Sequence, residues 1–204
     1  MVSSHDDARR RTPPYFQNGG TPGTPARLVH HSQVTVKHST ASTFVFCQLP
    51  GGWRLALISH PLFRRPMIPG GHVEPEESAP QAALREVAEE TGLRVTLAAP
   101  VAPPVPAGLS DLRRRLDPPW WILEQPVPSD NHLAGPHLHV DHLYVAVAAD
   151  PEPVTAPAHP LSWHAAGELA GLPMFPDTRL MAGALFGDLD RIASIAAGSP
   201  PVLH

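Results

Sequence analysis

Apolar and polar residues alternate along the first third of the chain in the pattern of β-strands. Residues 33–38 (QVTVKH) alternate strictly, and residues 41–49 and 53–59 are two longer strand-like runs. Pro50, Gly51 and Gly52 lie between these two runs, and such residues favour a tight turn, so the pattern predicts a β-hairpin. Residues 61–69 are bounded by prolines and predict a loop.

A helical pattern follows at residues 79–91. Ser78 and Gln81 have the spacing of a capping box, and Pro80 is tolerated in the first turn of a helix. Gly92 is suited to end the helix. The expected apolar side consists of Ala79, Ala83 and Val87, with Leu84 and Ala88 beside it. Such small residues let a helix lie close to a sheet.

Beyond this helix the pattern predicts short strands and a second helical region. Strands are expected at residues 94–98, 120–123, 137–149 and 161–164, and a turn of helix at 165–170. Residues 99–118 hold many prolines and predict a long loop. Residues 178–197 predict one terminal helix whose inward positions are Leu180, Leu185, Leu189 and Ile192. The order of elements is typical of an α/β architecture with a mixed sheet.

The two ends of the chain differ in composition from its middle. Residues 1–28 are rich in Pro, Gly, Thr and Arg without apolar periodicity, which predicts a disordered tail. Residues 29–197 are expected to form the folded domain and residues 198–204 a short C-terminal tail. With 204 residues, 42% of them hydrophobic, the chain can bury one good core.

Composition narrows the class of protein. No apolar run approaches ~20 residues, so no membrane span is expected. The single cysteine, Cys47, excludes an internal disulfide, fits a reducing cytoplasm and is expected to be a small core residue. The net charge of −4 argues against a general nucleic-acid binder. It leaves open an anionic small substrate, because a bound metal can invert the local field.

The glutamates of this chain are concentrated in one segment. Six of the nine lie between Glu74 and Glu90, and three of them, Glu86, Glu89 and Glu90, are spaced i, i+3, i+4. This spacing puts three carboxylates on one helical face, where like charges repel. A divalent cation between them would remove the repulsion, and hard oxygen ligands suit Mg²⁺ or Mn²⁺. The alternative is a solvated acidic face.

Residues 71–93 fit the pattern Gly-x5-Glu-x7-Arg-Glu-U-x-Glu-Glu-x-Gly-U, where U is apolar, at every fixed position. The matching residues are Gly71, Glu77, Arg85, Glu86, Val87, Glu89, Glu90, Gly92 and Leu93. Seven identities and two apolar positions coincide by chance roughly once in a billion placements. The segment resembles the box of the Nudix hydrolase family, and the order of elements over residues 33–197 is more loosely similar to a whole Nudix domain.

The resemblance implies a fold and a reaction. The fold is an α/β/α sandwich with a mixed β-sheet. The reaction is hydrolysis of a phosphoanhydride bond in a nucleoside diphosphate-linked or nucleoside triphosphate substrate, with Mg²⁺, or alternatively Mn²⁺, as cofactor. Many Nudix domains are dimers, so a homodimer is one option for the assembly.

The resemblance also implies roles for the residues of the box. The expected metal ligands are Glu86, Glu89 and Glu90, with the Gly70 carbonyl as a further one. Glu86 and Glu89 are candidates for catalysis as well, and which glutamate is the general base stays open. Arg85 is expected to orient a catalytic glutamate through a salt bridge. Glu77 would be a supporting carboxylate, or else a surface residue before the helix.

Residues outside the box give weaker signals. Arg64 and Arg65 could hold a phosphate or belong to a solvated loop, and Asp141 could face the substrate or metal pocket. Histidines at positions 137, 139 and 142 surround Asp141 and resemble a metal cluster. His137 and His139 would share a strand face while His142 falls opposite, so zinc is the less favoured interpretation.

The expected partner is a small nucleotide-like molecule, with no nucleic acid and no membrane. Diadenosine-polyphosphate members of the family tend to carry a tyrosine not far beyond the box. Here none occurs between Leu93 and Tyr144, which disfavours that substrate class. The alternative function is a nucleotide-sensing module without turnover, but such domains usually have degraded boxes. An isomerase or other non-hydrolytic relative is a third possibility.

Overall fold

A parallel pair of long strands forms the centre of the computed structural model, which describes residues 35–61 and 63–198. Within these residues the strands are β1 (Lys37–Leu49), β2 (Gly52–His60), β3 (Arg65–Met67), β4 (Gly70–His72), β5 (Val95–Leu97), β6 (Trp121–Val127), β7 (His137–Ala148) and β8 (Leu161–His164). The helices are α1 (Ala79–Thr91), α2 (Pro176–Phe186) and α3 (Leu189–Gly198), with 3₁₀ turns at Leu109–Asp111 and Ala166–Gly171. None of these helices has the length and apolar character that a membrane crossing needs.

The strands form one mixed sheet. Its main order is β3-β2-β1-β7-β5, with β4 added to β1, β6 to β7 and β8 to β2. β1 and β7 are parallel, and their register runs from Lys37↔Leu138 to Cys47↔Ala148. The other pairings are antiparallel. β1 is long enough to pair with β4 through residues 40–42 and with β2 through residues 46–49.

Alternation along β1 divides the apolar core between the two faces of the sheet. Phe44 and Phe46 are buried in a cluster with residues of α2 and α3. Val45 and Cys47 point to the opposite face, where they pack with Ala83 and other residues of α1. The sheet therefore lies between helical layers, and the predicted α/β/α sandwich with a mixed sheet is confirmed. Cys47 is a buried core residue, as expected.

The predicted hairpin is confirmed, and the segments on either side of it differ from the prediction. β1 and β2 pair down to Leu49↔Gly52, and the turn uses positive φ angles of 92° at Gly51 and 108° at Gly52. Of the strand predicted at 33–38, residues 37–38 begin β1, residues 35–36 precede it, and residues 33–34 lie outside the described residues. The loop predicted at 61–69 contains β3, where Pro66 is accommodated in a strand at the end of the main sheet order.

The predicted terminal helix is wrong in its continuity. The helix is interrupted at residues 187–188. Gly187 ends α2 by donating its N–H to the Ala184 carbonyl. The Asp188 carbonyl then accepts the Ile192 N–H at the start of the next helix. Leu180, expected to point inward, is 76% exposed. Three other predicted inward positions are buried: Leu185, Leu189 and Ile192.

The other predicted elements agree with the structure, apart from one helical position. Strands at 94–98, 120–123, 137–149 and 161–164 correspond to β5, β6, β7 and β8. In α1, Ala83 and Val87 are buried as expected, but Ala88 is exposed and Ala82 takes its place in the core. The tail predicted at 1–28 lies outside the described residues, and so does the tail predicted at 198–204 except for Gly198, which is the last residue of α3.

Candidate active site

Capping at both ends fixes the position of α1. At its start, the Ser78 N–H donates to Gln81 Oε1 at 3.0 Å, as the capping-box spacing predicted. At its end, Gly92 adopts a left-handed φ of 69° and donates its N–H to the Ala88 carbonyl at 2.9 Å. The helix that carries the three glutamates is thus defined by local signals that the sequence reveals.

Residues 154–159, which we call the strap, complete the C-terminal end of α1. The Ala158 N–H donates to the Glu89 carbonyl at 3.1 Å, and the His159 N–H donates to the Glu90 carbonyl at 3.2 Å. The last carbonyls of a helix lack partners within the helix itself. The strap supplies those partners and so holds the last turn of α1, which bears Glu89 and Glu90.

Arg85 is the centre of an ion-pair network on α1. Its Nη2 and Nε donate to the two oxygens of Glu77 at 2.7 and 3.1 Å. Its Nη1 donates to Glu86 at 2.8 Å and to Glu89 at 3.1 Å, and Nη2 also donates to the His72 carbonyl at 3.0 Å. The hydrogen bond from Arg85 lowers the pKa of Glu77, and the same bond raises the pKa of Arg85. The arginine therefore stays charged and has little freedom to move.

The three glutamates predicted as metal ligands differ in burial. The Glu86 and Glu90 side chains are 14% and 12% exposed, whereas Glu89 is 59% exposed. Burial raises the pKa of Glu86, against the opposing effect of Arg85. Burial also raises the pKa of Glu90 to about 7, although Oε2 accepts the Gly70 N–H at 2.9 Å. Arg85 thus compensates the charge of Glu86, whereas Glu90 contacts the Gly70 N–H and His159 and lies near the like charges of Glu86 and Glu89.

Two glycines of β4 make room for these carboxylates. A Cβ atom on Gly71 would lie 2.3 Å from Oε1 of Glu86, and one on Gly70 would lie 2.6 Å from the Ala41 carbonyl oxygen. Real Cβ atoms do not approach other atoms so closely. The close backbone approach predicted for Gly70 and Gly71 is therefore present, and the role of the Gly70 carbonyl as a ligand stays a prediction.

Asp141 is buried beside the same glycine turn. Its Oδ1 accepts hydrogen bonds from the hydroxyls of Thr40 at 3.0 Å and Ser42 at 3.1 Å, and burial raises its pKa. A Cβ atom on Gly70 would lie 2.7 Å from Oγ of Ser42. The Ser42 hydroxyl therefore lies between the Asp141 carboxylate and Gly70, whose N–H donates to Glu90. Whether Asp141 contacts substrate stays a prediction.

Arg64 and Arg65 lie on the surface between β2 and β4. Both are exposed, and the guanidinium carbon of Arg65 lies 5.0 Å from the centre of the Phe175 ring. Within residues 35–61 and 63–198, neither arginine forms an ion pair with a carboxylate of α1. Their predicted contact with phosphate is not tested by this geometry.

His159, which the sequence did not single out, lies next to the predicted metal ligands. Its Nε2 is 3.5 Å from Oε1 of Glu90, and its ring centre is 4.8 Å from that of His60. These three residues offer ligand atoms within 4.8 Å of one another. His159 belongs to the irregular strap, so no periodicity or motif spacing relates it to α1.

The histidines around β7 are arranged differently from the prediction. His137 and His139 share a face and His142 points away, as alternation required, and Nδ1 of His142 lies 3.1 Å from the Thr40 carbonyl. The carboxylate that contacts both His137 and His139 is Asp130, which the sequence did not single out. Asp130 lies in the segment before β7, whose course could not be derived from strand patterns.

Comparison with known proteins identifies the family. The family model described as NUDIX domain matches residues 38–178, which is most of the chain. The chain belongs to the Nudix family, and the predicted membership is confirmed.

Individual relatives cover this chain to different extents. A Bacillus subtilis (strain 168) protein, YtkD, whose name gives 8-oxo-dGTP diphosphatase as a provisional activity, is 47% identical over 57 residues. That match covers 28% of this chain, and the chain spans only 34% of the length of that relative.

Solved structures support the same fold. A NUDIX family hydrolase from Clostridium perfringens is similar with a TM-score of 0.57 and 23% identity, covering 74% of this chain and 97% of that one. A provisional NUDIX hydrolase from Listeria monocytogenes str. 4b F2365 has a TM-score of 0.50 and 14% identity, covering 74% of this chain and 94% of that one. At these identities the likeness shows the fold alone.

Proposed function

We propose that the protein hydrolyses a phosphoanhydride bond in a nucleoside diphosphate-linked or nucleoside triphosphate substrate, with Mg²⁺ or Mn²⁺ as cofactor. The observation that carries the proposal is the complete box on α1, with Glu86 and Glu90 buried against the Gly70–Gly71 backbone. Such an arrangement of carboxylates is costly unless it binds something positive.

The donor atoms at this site fit a hard divalent cation. Glu86, Glu89 and Glu90, with the Gly70 carbonyl, offer only oxygen ligands, which Mg²⁺ and Mn²⁺ prefer. The buried Glu90 has a pKa raised to about 7, as expected for a carboxylate without a full counter-charge. When bound, the cation would neutralise phosphate oxygens and acidify an attacking water.

The side chains around the cation have separate tasks in this proposal. Arg85 is a positioning residue that holds Glu86 and Glu89 in one orientation through its Nη1 atom. Glu86 is the first candidate for the base, because burial raises its pKa and so strengthens its carboxylate as a proton acceptor. Water adds to a phosphorus atom and gives a proton to the base, the anhydride P–O bond breaks, and the phosphate-bearing group on its other side departs.

The substrate belongs to the nucleotide-like class in this proposal. The similarity to YtkD makes 8-oxo-dGTP the first nucleoside triphosphate to test. ADP-ribose, a nucleotide sugar and diadenosine tetraphosphate represent the other substrate types in which a phosphoanhydride links a nucleotide to another group.

A substrate panel tests the proposal. The purified chain is incubated with each compound and Mg²⁺, Mn²⁺ or EDTA, and the phosphate-containing products are separated. We expect turnover of at least one compound that depends on the metal. Glu86→Gln and Glu90→Gln should each lower kcat by about 10²–10⁴-fold, whereas the exposed Glu76→Gln should keep wild-type activity.

Two results would contradict the proposal. One is the absence of turnover for the whole panel with either metal. The other is equal activity of Glu90→Gln and the wild type. Tight binding of a panel compound without turnover would instead support the nucleotide-sensing module.

A further inference from the structure

We propose that His38, Asp130, His137 and His139 form a zinc-type site that is separate from the carboxylates of the box. The four residues offer ligand atoms that all lie within 4.8 Å of one another. They come from the start of β1, the segment between β6 and β7, and the start of β7. An ion bound there would join three parts of the chain.

The distances between the ligand atoms fit tetrahedral coordination. Asp130 Oδ2 lies 3.1 Å from His137 Nε2 and 3.0 Å from His139 Nε2, and the two Nε2 atoms are 3.1 Å apart. Zn–N bonds are ~2.0–2.1 Å long, and a tetrahedron with such bonds has edges of about 3.3–3.4 Å. Three of the atoms therefore already form a triangle of nearly the size that zinc requires.

Asp130 and His137 each use their other polar side-chain atom, Oδ1 and Nδ1, in hydrogen bonds to the backbone. Asp130 Oδ1 accepts the N–H groups of His132 at 2.8 Å and Leu133 at 2.7 Å, which leaves Oδ2 directed at the histidines. His137 Nδ1 lies 2.8 Å from the Gly135 carbonyl and must donate to it. Metal-bound histidines are usually oriented by such a bond from the other ring nitrogen.

A positive group must lie between His137 and Asp130. With its proton on Nδ1, a neutral His137 presents a lone pair on Nε2 to the lone pairs of Asp130 Oδ2, 3.1 Å away. The His137 side chain has 0% exposure, so water cannot separate the two atoms. His38 adds a buried Nδ1 without a hydrogen-bond partner. Either a proton or a metal ion placed between Nε2 and Oδ2 removes the first conflict, and a metal ion would in addition bind Nδ1 of His38.

The donor set distinguishes this site from the box. Three imidazole nitrogens and one carboxylate oxygen suit Zn²⁺ far better than Mg²⁺, and four protein ligands are typical of a structural zinc site. His72 connects the two sites, because its Nε2 lies 3.2 Å from Asp130 Oδ2 and its carbonyl accepts the Arg85 Nη2 at 3.0 Å. The ion would thus fix the segment before β7 beside the support of Arg85.

Metal titration of the full chain, free of any added histidine tag and stripped of metal, tests the site. We expect one Zn²⁺ per chain that excess Mg²⁺ does not displace, and a higher melting temperature with Zn²⁺. Co²⁺ at the same site should give the intense visible absorption of tetrahedral coordination. Octahedral Co²⁺ absorbs only weakly in the visible range. A weak spectrum of that kind from the Co²⁺-loaded protein would overturn the proposal.

Matched variants assign the ligands. His139→Gln and Asp130→Asn should weaken Zn²⁺ binding by at least tenfold, because even the outer partners of a ligand contribute about 10–100-fold. His142→Gln is the control, since His142 lies on the same strand and faces away. Glu90→Gln should also keep the Zn²⁺, which separates this site from the box.

Three outcomes would overturn the assignment. The wild type could fail to bind Zn²⁺ at micromolar concentration. His142→Gln could lose as much affinity as His139→Gln, or Glu90→Gln could remove the ion. Far-ultraviolet circular dichroism checks that each variant folds, and the wild-type Co²⁺ spectrum decides the question if the ligand variants do not.

Discussion

One guanidinium divides the glutamates of α1 into two electrostatic environments. Arg85 contacts Glu77, Glu86 and Glu89, all within 3.3 Å, and so neutralises part of their charge. Glu90 is outside this network and depends on the Gly70 N–H and on His159. Glutamates that lie close together therefore have different electrostatic surroundings, and Glu90 is the one that gains most from a bound cation.

The Arg85–Glu77 pair should make the stability of the fold depend on pH in the acidic range. The pKa of Glu77 lies below its ordinary value of 4.5 in the folded protein, because Arg85 donates to its carboxylate. The stabilisation is therefore complete above pH 4.5 and is lost as the pH falls through the folded pKa. At neutral pH we expect Glu77→Gln to lower the free energy of unfolding by about 1–3 kcal/mol.

Urea unfolding of Glu77→Gln and the wild type from pH 7 to pH 3 measures this dependence. The difference between the two proteins should shrink below pH 4.5, where the wild-type carboxyl becomes protonated. Glu76→Gln, which changes an exposed carboxylate in the same turn, is the control. A difference that is independent of pH would refute the role assigned to the ion pair.

The two glycines of β4 should respond differently to the addition of one methyl group. On Gly71 the methyl collides with the carboxylate of Glu86, whose side chain can move away. We expect Gly71→Ala to fold with nearly wild-type stability and to lose activity about 10²-fold, since small misplacements of catalytic groups cost that much. On Gly70 the methyl collides with the Ala41 carbonyl, 2.6 Å away, so the backbone itself must shift.

Thermal melting and kcat of both alanine variants separate the two effects. Gly70→Ala should lose stability by about 1–3 kcal/mol as well as activity. The interpretation fails if Gly71→Ala retains full activity, or if the two variants have equal melting temperatures.

The residues of the site could be predicted only where the signal is local. The box carboxylates and Arg85 lie within six consecutive positions, so helical periodicity alone places their side chains together. His159 and Asp130 reach the site region through irregular segments, whose paths depend on tertiary contacts.

At the scale of elements, α1 was predicted well because its boundaries have chemical markers. Ser78 and Gln81 mark its start and Gly92 its end. The break between α2 and α3 has no such marker, since Gly187 has a right-handed φ of −72° that a continuous helix also permits. Apolar periodicity therefore continued across it, and Leu180 was wrongly expected to be buried.

Gly92 joins the end of α1 to the strap, and its replacement should loosen that junction. Its φ is 69°, and a Cβ atom there would lie 2.2 Å from the Thr155 carbonyl oxygen. Gly108 has a similar φ of 79° with nothing within 4 Å of an added Cβ. The loss of stability in Gly108→Ala therefore measures the conformational strain alone, about 1 kcal/mol. The loss in Gly92→Ala also includes the collision with the Thr155 carbonyl.

Chemical denaturation of Gly92→Ala and Gly108→Ala provides the comparison. We expect Gly92→Ala to lose at least ~1 kcal/mol more, with faster hydrogen exchange at the Ala158 and His159 amides. Equal losses in the two variants would show that the strap does not depend on the shape of Gly92.

At the scale of the whole molecule, the sheet was predictable in class but not in order. The strands were visible as separate apolar runs, and the family resemblance supplied the sandwich. Nothing in the local pattern shows that β1 pairs in parallel with β7 and also with β2 and β4. Such pairings depend on which faces of distant strands bury each other best.

Cys47, at the centre of this sheet, should report the unfolding of the whole molecule. It is 1% exposed, and burial raises the pKa of its thiol, with a smaller contribution from Asp150. As the single cysteine of the chain, it gives an unambiguous signal. We expect a thiol reagent to label the native protein at least 10³-fold more slowly than the urea-unfolded chain, because labelling requires opening of the core.

Labelling rates in increasing urea test this expectation. They should follow the same transition as circular dichroism if Cys47 becomes accessible only on global unfolding. Rapid labelling in native buffer would mean that the centre of the sheet opens locally.

The parallel pairing of β1 with β7 also determines when this protein can become active during its synthesis. Thr40 and Asp141, which are hydrogen-bonded neighbours, are 101 positions apart in sequence. The ribosome therefore releases β1 and the complete box long before β7 and the strap exist. Throughout that interval the face of β1 that bears Phe44 and Phe46 lacks its partners in α2 and α3, and such apolar surfaces are the ones that chaperones bind. The box is made early and is enclosed by the rest of the fold late.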